Sequence, residues 1–162
     1  KCKSLLADRF VGKYACYATD GLKGVTEKPD EVFIAGMGGK EIISVLSALD
    51  YRPERLVLQP MKSAKELREY LLKKGYGIEK DFMFFSLDKH YDVIVAVYEL
   101  KTKPYADDEL RFGRDNLSGN NDFQRFLDIR ISVIEKALKT AEKQETKQNL
   151  QSELNALKRL KL

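Results

Sequence analysis

A chain of 162 residues with 43% hydrophobic and 33% charged residues fits one soluble domain with a sizeable core, and excludes a disordered or fibrous protein. No apolar run approaches the ~18 residues of a membrane span, there is no signal-like start, and Cys2 and Cys16 fit no metal or redox spacing. The expectation is therefore a cytoplasmic protein with reduced thiols and no metal. The net charge of +4 is uneven: residues 122–162 hold 9 Lys/Arg against 6 Asp/Glu, a net of +3. A mildly basic tail is compatible with a nucleic-acid partner, although most charged helices are simply solvated.

Residues 1–10 read as the end of a helix, with Gly12 as its break. Lys13 to Ala18 reads as a strand that empties into Thr19-Asp20-Gly21-Leu22. A second strand, Glu31 to Ala35, runs into Gly36-Met37-Gly38-Gly39, and the spacing of Ile42, Ile43, Leu46 and Leu49 predicts a helix over Glu41–Leu49. A third strand, Arg55 to Leu58, ends in Gln59-Pro60. Ser63 is placed as an N-cap, with Glu66 completing a capping box. The helix it opens turns Leu67, Tyr70 and Leu71 inward and stops at Gly75. Ile78–Leu87 and Tyr91–Glu99 read as two strands joined by Asp88-Lys89-His90. So short a connection makes the pair antiparallel.

Short apolar runs alternating with longer helical patterns, and a closing strand pair, describe an α/β fold, the back half of a doubly wound sheet. A Rossmann-like methyltransferase sheet has such an antiparallel final strand. Two adjacent strands that end in glycine or polar loops are where an open α/β sheet binds ligands. The bland alternatives are a tight strand-to-helix turn at Gly36–Gly39 and a turn former at Asp20. His90 reads as a connection residue, and Tyr76, Tyr91, Phe82, Phe84 and Phe85 as core.

Residues 103–121 read as a linker with a helical turn near Asp107–Phe112. Beyond it Leu127, Ile131, Ile134, Leu138 and Ala141 form one apolar seam, while Leu150, Leu154 and Leu157 begin a second, out of phase with the first. The polar stretch Glu142–Asn149 between them predicts an antiparallel, coiled-coil-like helical hairpin over 122–162. Residues 1–102 form the sheet domain in this scheme. The seam is expected to close within one chain, giving a monomer, with a hairpin-mediated dimer as the alternative.

In that order, Asp20-Gly21-Leu22, Ile34-Ala35-Gly36-Met37-Gly38-Gly39 and Leu56-Val57-Leu58-Gln59-Pro60 resemble the bacterial TrmK-type tRNA (adenine-22, N1)-methyltransferases. Leu67-Arg68-Glu69-Tyr70-Leu71, Gly75-Tyr76 and Lys89-His90-Tyr91-Asp92-Val93-Ile94 add to the likeness, which covers nearly the whole chain. The resemblance implies S-adenosylmethionine as cofactor and a tRNA adenine as substrate. It places Asp20, Gly21 and Leu22 near the cofactor adenine, and Gly36, Met37, Gly38 and Gly39 beside the methionine portion. Gln59 and Pro60 fall on the target-base side. Arg125, Arg130, Lys136, Lys139 and Lys143 could then grip the tRNA backbone. Two departures stand out. Met61 follows Gln-Pro where the family usually has asparagine, and the family's first cofactor loop has no counterpart after Lys1. A preceding segment is thus expected, and this chain alone is expected to bind cofactor weakly and to be inactive. A non-catalytic RNA-binding module, or another small-molecule enzyme on the same fold, remains open.

Overall fold

The computed structural model describes residues 15–19 and 21–161. The helix read over 1–10, its break at Gly12, and Asp20 lie outside them. Of the strand read over Lys13–Ala18, residues 15–18 are described; they are exposed and carry no strand. Among the described residues, regular structure begins with strand β1 (Glu31–Met37), helix α1 (Gly39–Ser47), β2 (Arg55–Pro60) and α2 (Ala64–Lys73). The long antiparallel pair β3 (Tyr76–Ser86) and β4 (Lys89–Tyr98) follows, then the short helices α3 (Asp107–Phe112) and α4 (Arg114–Leu117). The chain closes with α5 (Asn121–Thr140) and α6 (Gln144–Arg159).

The sheet order is β1-β2-β4-β3, with β1 parallel to β2 and β4 antiparallel to both of its neighbours. The last strand is therefore inserted between its two predecessors, and the carboxyl ends of β1 and β2 share one edge. Alternation along β1 and β2 turns Val32, Leu56 and Leu58 toward α1 and α2, where Ile42, Leu46, Leu67 and Leu71 meet them. A second cluster forms around Met83, Phe112, Phe123, Leu127, Ile134, Leu154 and Leu157, and seats the two long helices on the β3 side of the sheet. Arg130–Glu153 and Lys161–Asp128 ion pairs cross between α5 and α6 in antiparallel sense. Both leucine seams are thus used, with the turn at residues 141–143.

Three local expectations are corrected. Ser63 sits in the left-handed region (φ 56°) and makes no side-chain cap bond. Side-chain capping needs an extended N-cap residue, so the capping box with Glu66 does not form. The β3–β4 turn is Leu87-Asp88, both at positive φ, and Lys89 and His90 pair in the ladder with Ser86 and Phe85. A two-residue turn of that hand matches the twist of the strands, which a turn of the opposite hand would splay. The aromatic run of β3 is not core: a bulge at Glu79 shifts the alternation, so Asp81 and Met83 face inward and Phe84 stacks outside on Tyr91 at 5.3 Å.

Residues 103–121 do more than span. β3 is an edge strand, and side chains take the place of a neighbouring ladder. Asp81 N–H donates to Asp115 (2.8 Å), Met83 N–H to Asn116 (2.8 Å) and Phe85 N–H to Asp122 (3.0 Å), while Asn120 donates to the Met83 carbonyl (2.9 Å). An edge covered in this way cannot template another strand.

Candidate active site

The two strand ends close on each other through backbone. Met61 N–H donates to the Met37 carbonyl and Gly39 N–H to the Lys62 carbonyl, both at 2.8 Å. Gly36 has φ 74°, which L side chains rarely adopt, and a Cβ there would point into open space. Gly39 is glycine for another reason: a Cβ would stand 2.3 Å from the Ser63 carbonyl oxygen. One position supplies an exposed, uncovered backbone, and the other lets two loops touch. Gly38 opens α1 as its N-cap, and Met37 is half-buried against the sheet core.

Gln59 binds the arrangement together. Its side-chain oxygen accepts from Gly36 N–H at 2.9 Å, and its amide donates to the Pro60 carbonyl (3.2 Å) and to the Met61 sulfur (3.4 Å). The backbone donor on one side and the two acceptors on the other fix which end of the amide is which. Pro60, buried, closes the β1–β2 register opposite Met37.

Of the other residues singled out by sequence, Gly21 (φ 64°) and Leu22 pack on α1 near Val45, Ala48 and Leu49. Six residues separate Gly39 from Val45, which is ~9 Å along a helix. The structure therefore does not bring Gly21 and Leu22 to the glycine loop itself. Arg125, Arg130, Lys136, Lys139 and Lys143 are all exposed. Arg125, Lys136 and Lys139 fall within about 60° of one another around α5, whereas Arg130 lies about 140° from Arg125. Arg125 covers the Phe85 ring at 3.5 Å, and Arg130 pairs with Glu153.

Beside the loop opens a cleft of about 660 Å³ between the Met61–Ala64 turn, β3–β4 and helices α3, α5 and α6. Behind Asp92, which lines this cleft, lies a buried charge network that the sequence analysis missed. Arg68, fully buried, forks onto Asp81 through Nε and Nη2 (2.8–3.0 Å), reaches Asp92 at 3.3 Å, and donates to the Leu110 carbonyl at 3.1 Å. Tyr105 adds its hydroxyl to Asp81 at 3.1 Å. Burial pushes the Asp81 and Asp92 carboxyls above the usual range while Arg68 pulls each back. The same burial lifts the Tyr105 hydroxyl well above its ordinary value. The signal was present: Arg68 stands between Leu67 and Leu71 on the inward stripe of α2, where a guanidinium needs a buried partner.

A family model for tRNA (adenine(22)-N(1))-methyltransferase matches residues 3–161. Over 81 residues the chain is 37% identical to the tRNA (adenine(22)-N(1))-methyltransferase of Bacillus subtilis, covering 48% of this chain and 34% of that protein. The M. capricolum TrmK structure, in complex with S-adenosyl-homocysteine, superposes with a TM-score of 0.76 at 21% identity over 88% of this chain and 66% of that one. Streptococcus pneumoniae Sp1610 in complex with S-adenosyl-L-methionine gives 0.66 at 26% identity, over 81% and 59%. This chain thus spans less than two thirds of each of these relatives. By its match along nearly the whole sequence, the chain belongs to the tRNA (adenine(22)-N(1))-methyltransferase family.

Proposed function

We propose that the whole protein transfers a methyl group from S-adenosylmethionine to N1 of an adenine in tRNA, adenine 22 by family. The observation that carries this is the Gly36–Gly39 loop: bare backbone at the end of β1, open in front of Gly36 and latched to the next strand end by Gln59. Such a loop fits a cofactor that needs close backbone approach at the carboxyl edge of a parallel pair. Gly36, Met37, Gly38 and Gly39 hold its methionine portion, and Asp20, Gly21 and Leu22 lie toward its adenine. When bound, it supplies an electrophilic methyl on sulfur.

Adenine N1 carries an in-plane lone pair and is largely unprotonated at neutral pH, so no general base is needed. What remains for the protein is alignment and the exclusion of water. Gln59 fixes the loop by accepting from Gly36 N–H, and the second lone pair of its oxygen is left to help place the base. Pro60 holds the base side of the edge stiff, and the target adenine leaves its stack to arrive there. Arg125, Lys136 and Lys139, on one face of α5, with Arg130 and Lys143, bind the tRNA backbone. In this reading the hairpin is a coiled-coil-like arm of a monomer, and the work is cytoplasmic.

Labelled methyl transfer to a tRNA pool by the full-length protein tests the proposal. The expected product is N1-methyladenine at one position, together with weaker cofactor binding in Asp20→Ala. Salt-sensitive tRNA binding without transfer would replace the enzyme by a non-catalytic RNA-binding module.

A further inference from the structure

We propose that the cleft between the Met61–Ala64 turn and helix α5 receives an unstacked nucleotide of the RNA, the neighbour of the adenine presented at the glycine loop. This rests on the tRNA reading above and adds a second base-sized pocket to it. The cleft, at about 660 Å³, has the volume of a small-molecule site. It is continuous with the loop, since Met61 and Lys62 both line it and bond Met37 and Gly39 through their backbone.

Its lining has two halves. One is an apolar shelf of Met61, Phe126, Ile129 and Val133. Met61, Ile129 and Val133 are 55%, 47% and 51% exposed, which nothing in the packing of α5 and α6 requires. The Phe126 ring is held edge-on by His90 at 4.7 Å. Lys62, Arg111 and Arg130 line the other half, together with the carboxylates of Glu153 and Asp92. Arg111 and Arg130 converge on the single carboxylate of Glu153 at 3.7 and 3.0 Å, which pre-orients the pair; Lys62 faces Glu41 at 3.6 Å and Asp92 faces the buried Arg68 at 3.3 Å. An apolar shelf flanked by two guanidiniums held on one carboxylate matches a nucleobase with its phosphate. Flipping an adenine into the loop strips its neighbour of a stacking partner, and this shelf is where that exposed face would rest. Met61 joins the shelf to the loop, since its sulfur accepts from the Gln59 amide at 3.4 Å.

Binding of an unmodified tRNA transcript to the full-length protein, across a salt series, tests the pocket independently of turnover. Ile129→Ala/Val133→Ala should weaken binding by about tenfold with an unchanged salt slope, because only stacking surface is lost. Arg111→Gln should lower the slope of log affinity against log salt by roughly one unit. Melting temperature and S-adenosylmethionine binding report that each variant is folded. Unchanged tRNA affinity in the alanine pair, or a changed salt slope there, overturns the pocket. Methyl transfer by the parent protein is scored separately. A parent that binds tRNA without transferring methyl sinks the functional reading and leaves the pocket to be judged by these affinities.

Discussion

Removing the Arg68 guanidinium is the sharpest test of what holds the sheet to the helical half. In Arg68→Met the Asp81 carboxylate, 1% exposed, loses three hydrogen bonds and keeps Tyr105. The Leu110 carbonyl loses a donor and Asp92 its counter-ion. Breaking one side of a buried pair costs about 3–5 kcal/mol. For a domain whose total stability is about 5–15 kcal/mol, that removes a large share and lowers the melting temperature by roughly 6–20 °C. Replacing both partners, Arg68→Met with Asp81→Leu, removes the orphaned Asp81 charge but not the losses at Asp92 and the Leu110 carbonyl, and should recover part of the loss. Urea denaturation followed by circular dichroism on the parent, both single variants and the double variant gives the coupling directly. A loss below about 1 kcal/mol in Arg68→Met would refute the account. So would a double variant no more stable than the single one, which would place the cost in lost packing.

Further outcomes follow from four single positions. Asn116→Leu leaves the Met83 N–H unpaired at a covered edge and should cost about 1–3 kcal/mol, read by the same denaturation assay. Leu87, 89% exposed at φ 46°, should gain about 1 kcal/mol on replacement by Asn, seen as a higher melting temperature. A melting temperature that does not rise would show the turn to be unstrained. Gly39→Ala forces the Ser63 carbonyl away and should cost about 1–3 kcal/mol together with cofactor affinity. Gly36→Ala meets nothing and should cost only about 1–2 kcal/mol in backbone strain; equal losses in the two variants would contradict the distinction.

What could be read from the chain was what is local. Val32, Leu56 and Leu58 announce strands by alternation, and Ile42, Leu46, Leu67 and Leu71 announce helices by spacing. The glycine loop was equally plain, because glycine at a strand end has few other uses. What could not be read was long-range polar pairing. Asp115, Asn116, Asn120 and Asp122 form a stretch with the composition of a turn-rich connection, yet each serves a backbone group of β3 more than 30 residues away. No local pattern separates a side chain that caps a distant edge from one that faces water. Gln59 shows the same limit: its chemistry suits a base contact, and only the fold shows that its oxygen also accepts from Gly36 N–H.

The cleft is the intermediate case. A helix that packs on one partner needs one apolar stripe, and α5 has it in Phe123, Leu127, Ile134 and Leu138. Ile129 and Val133, at i and i+4, begin a second stripe that this packing leaves exposed, joined to the first by Phe126, which packs on the core and stacks on Phe123. Exposed apolar surface of that order on a helix that also carries Arg130 is costly to keep in water unless something covers it. Because the stripe lines the same cleft as the Met61–Ala64 turn, a group that covers it also lies beside the glycine loop. A flipped-out RNA strand meets that condition, with one base in the loop and the next on the shelf. For that reason the tRNA affinity of the Ile129→Ala/Val133→Ala pair, with cofactor binding intact, decides what the second stripe is for.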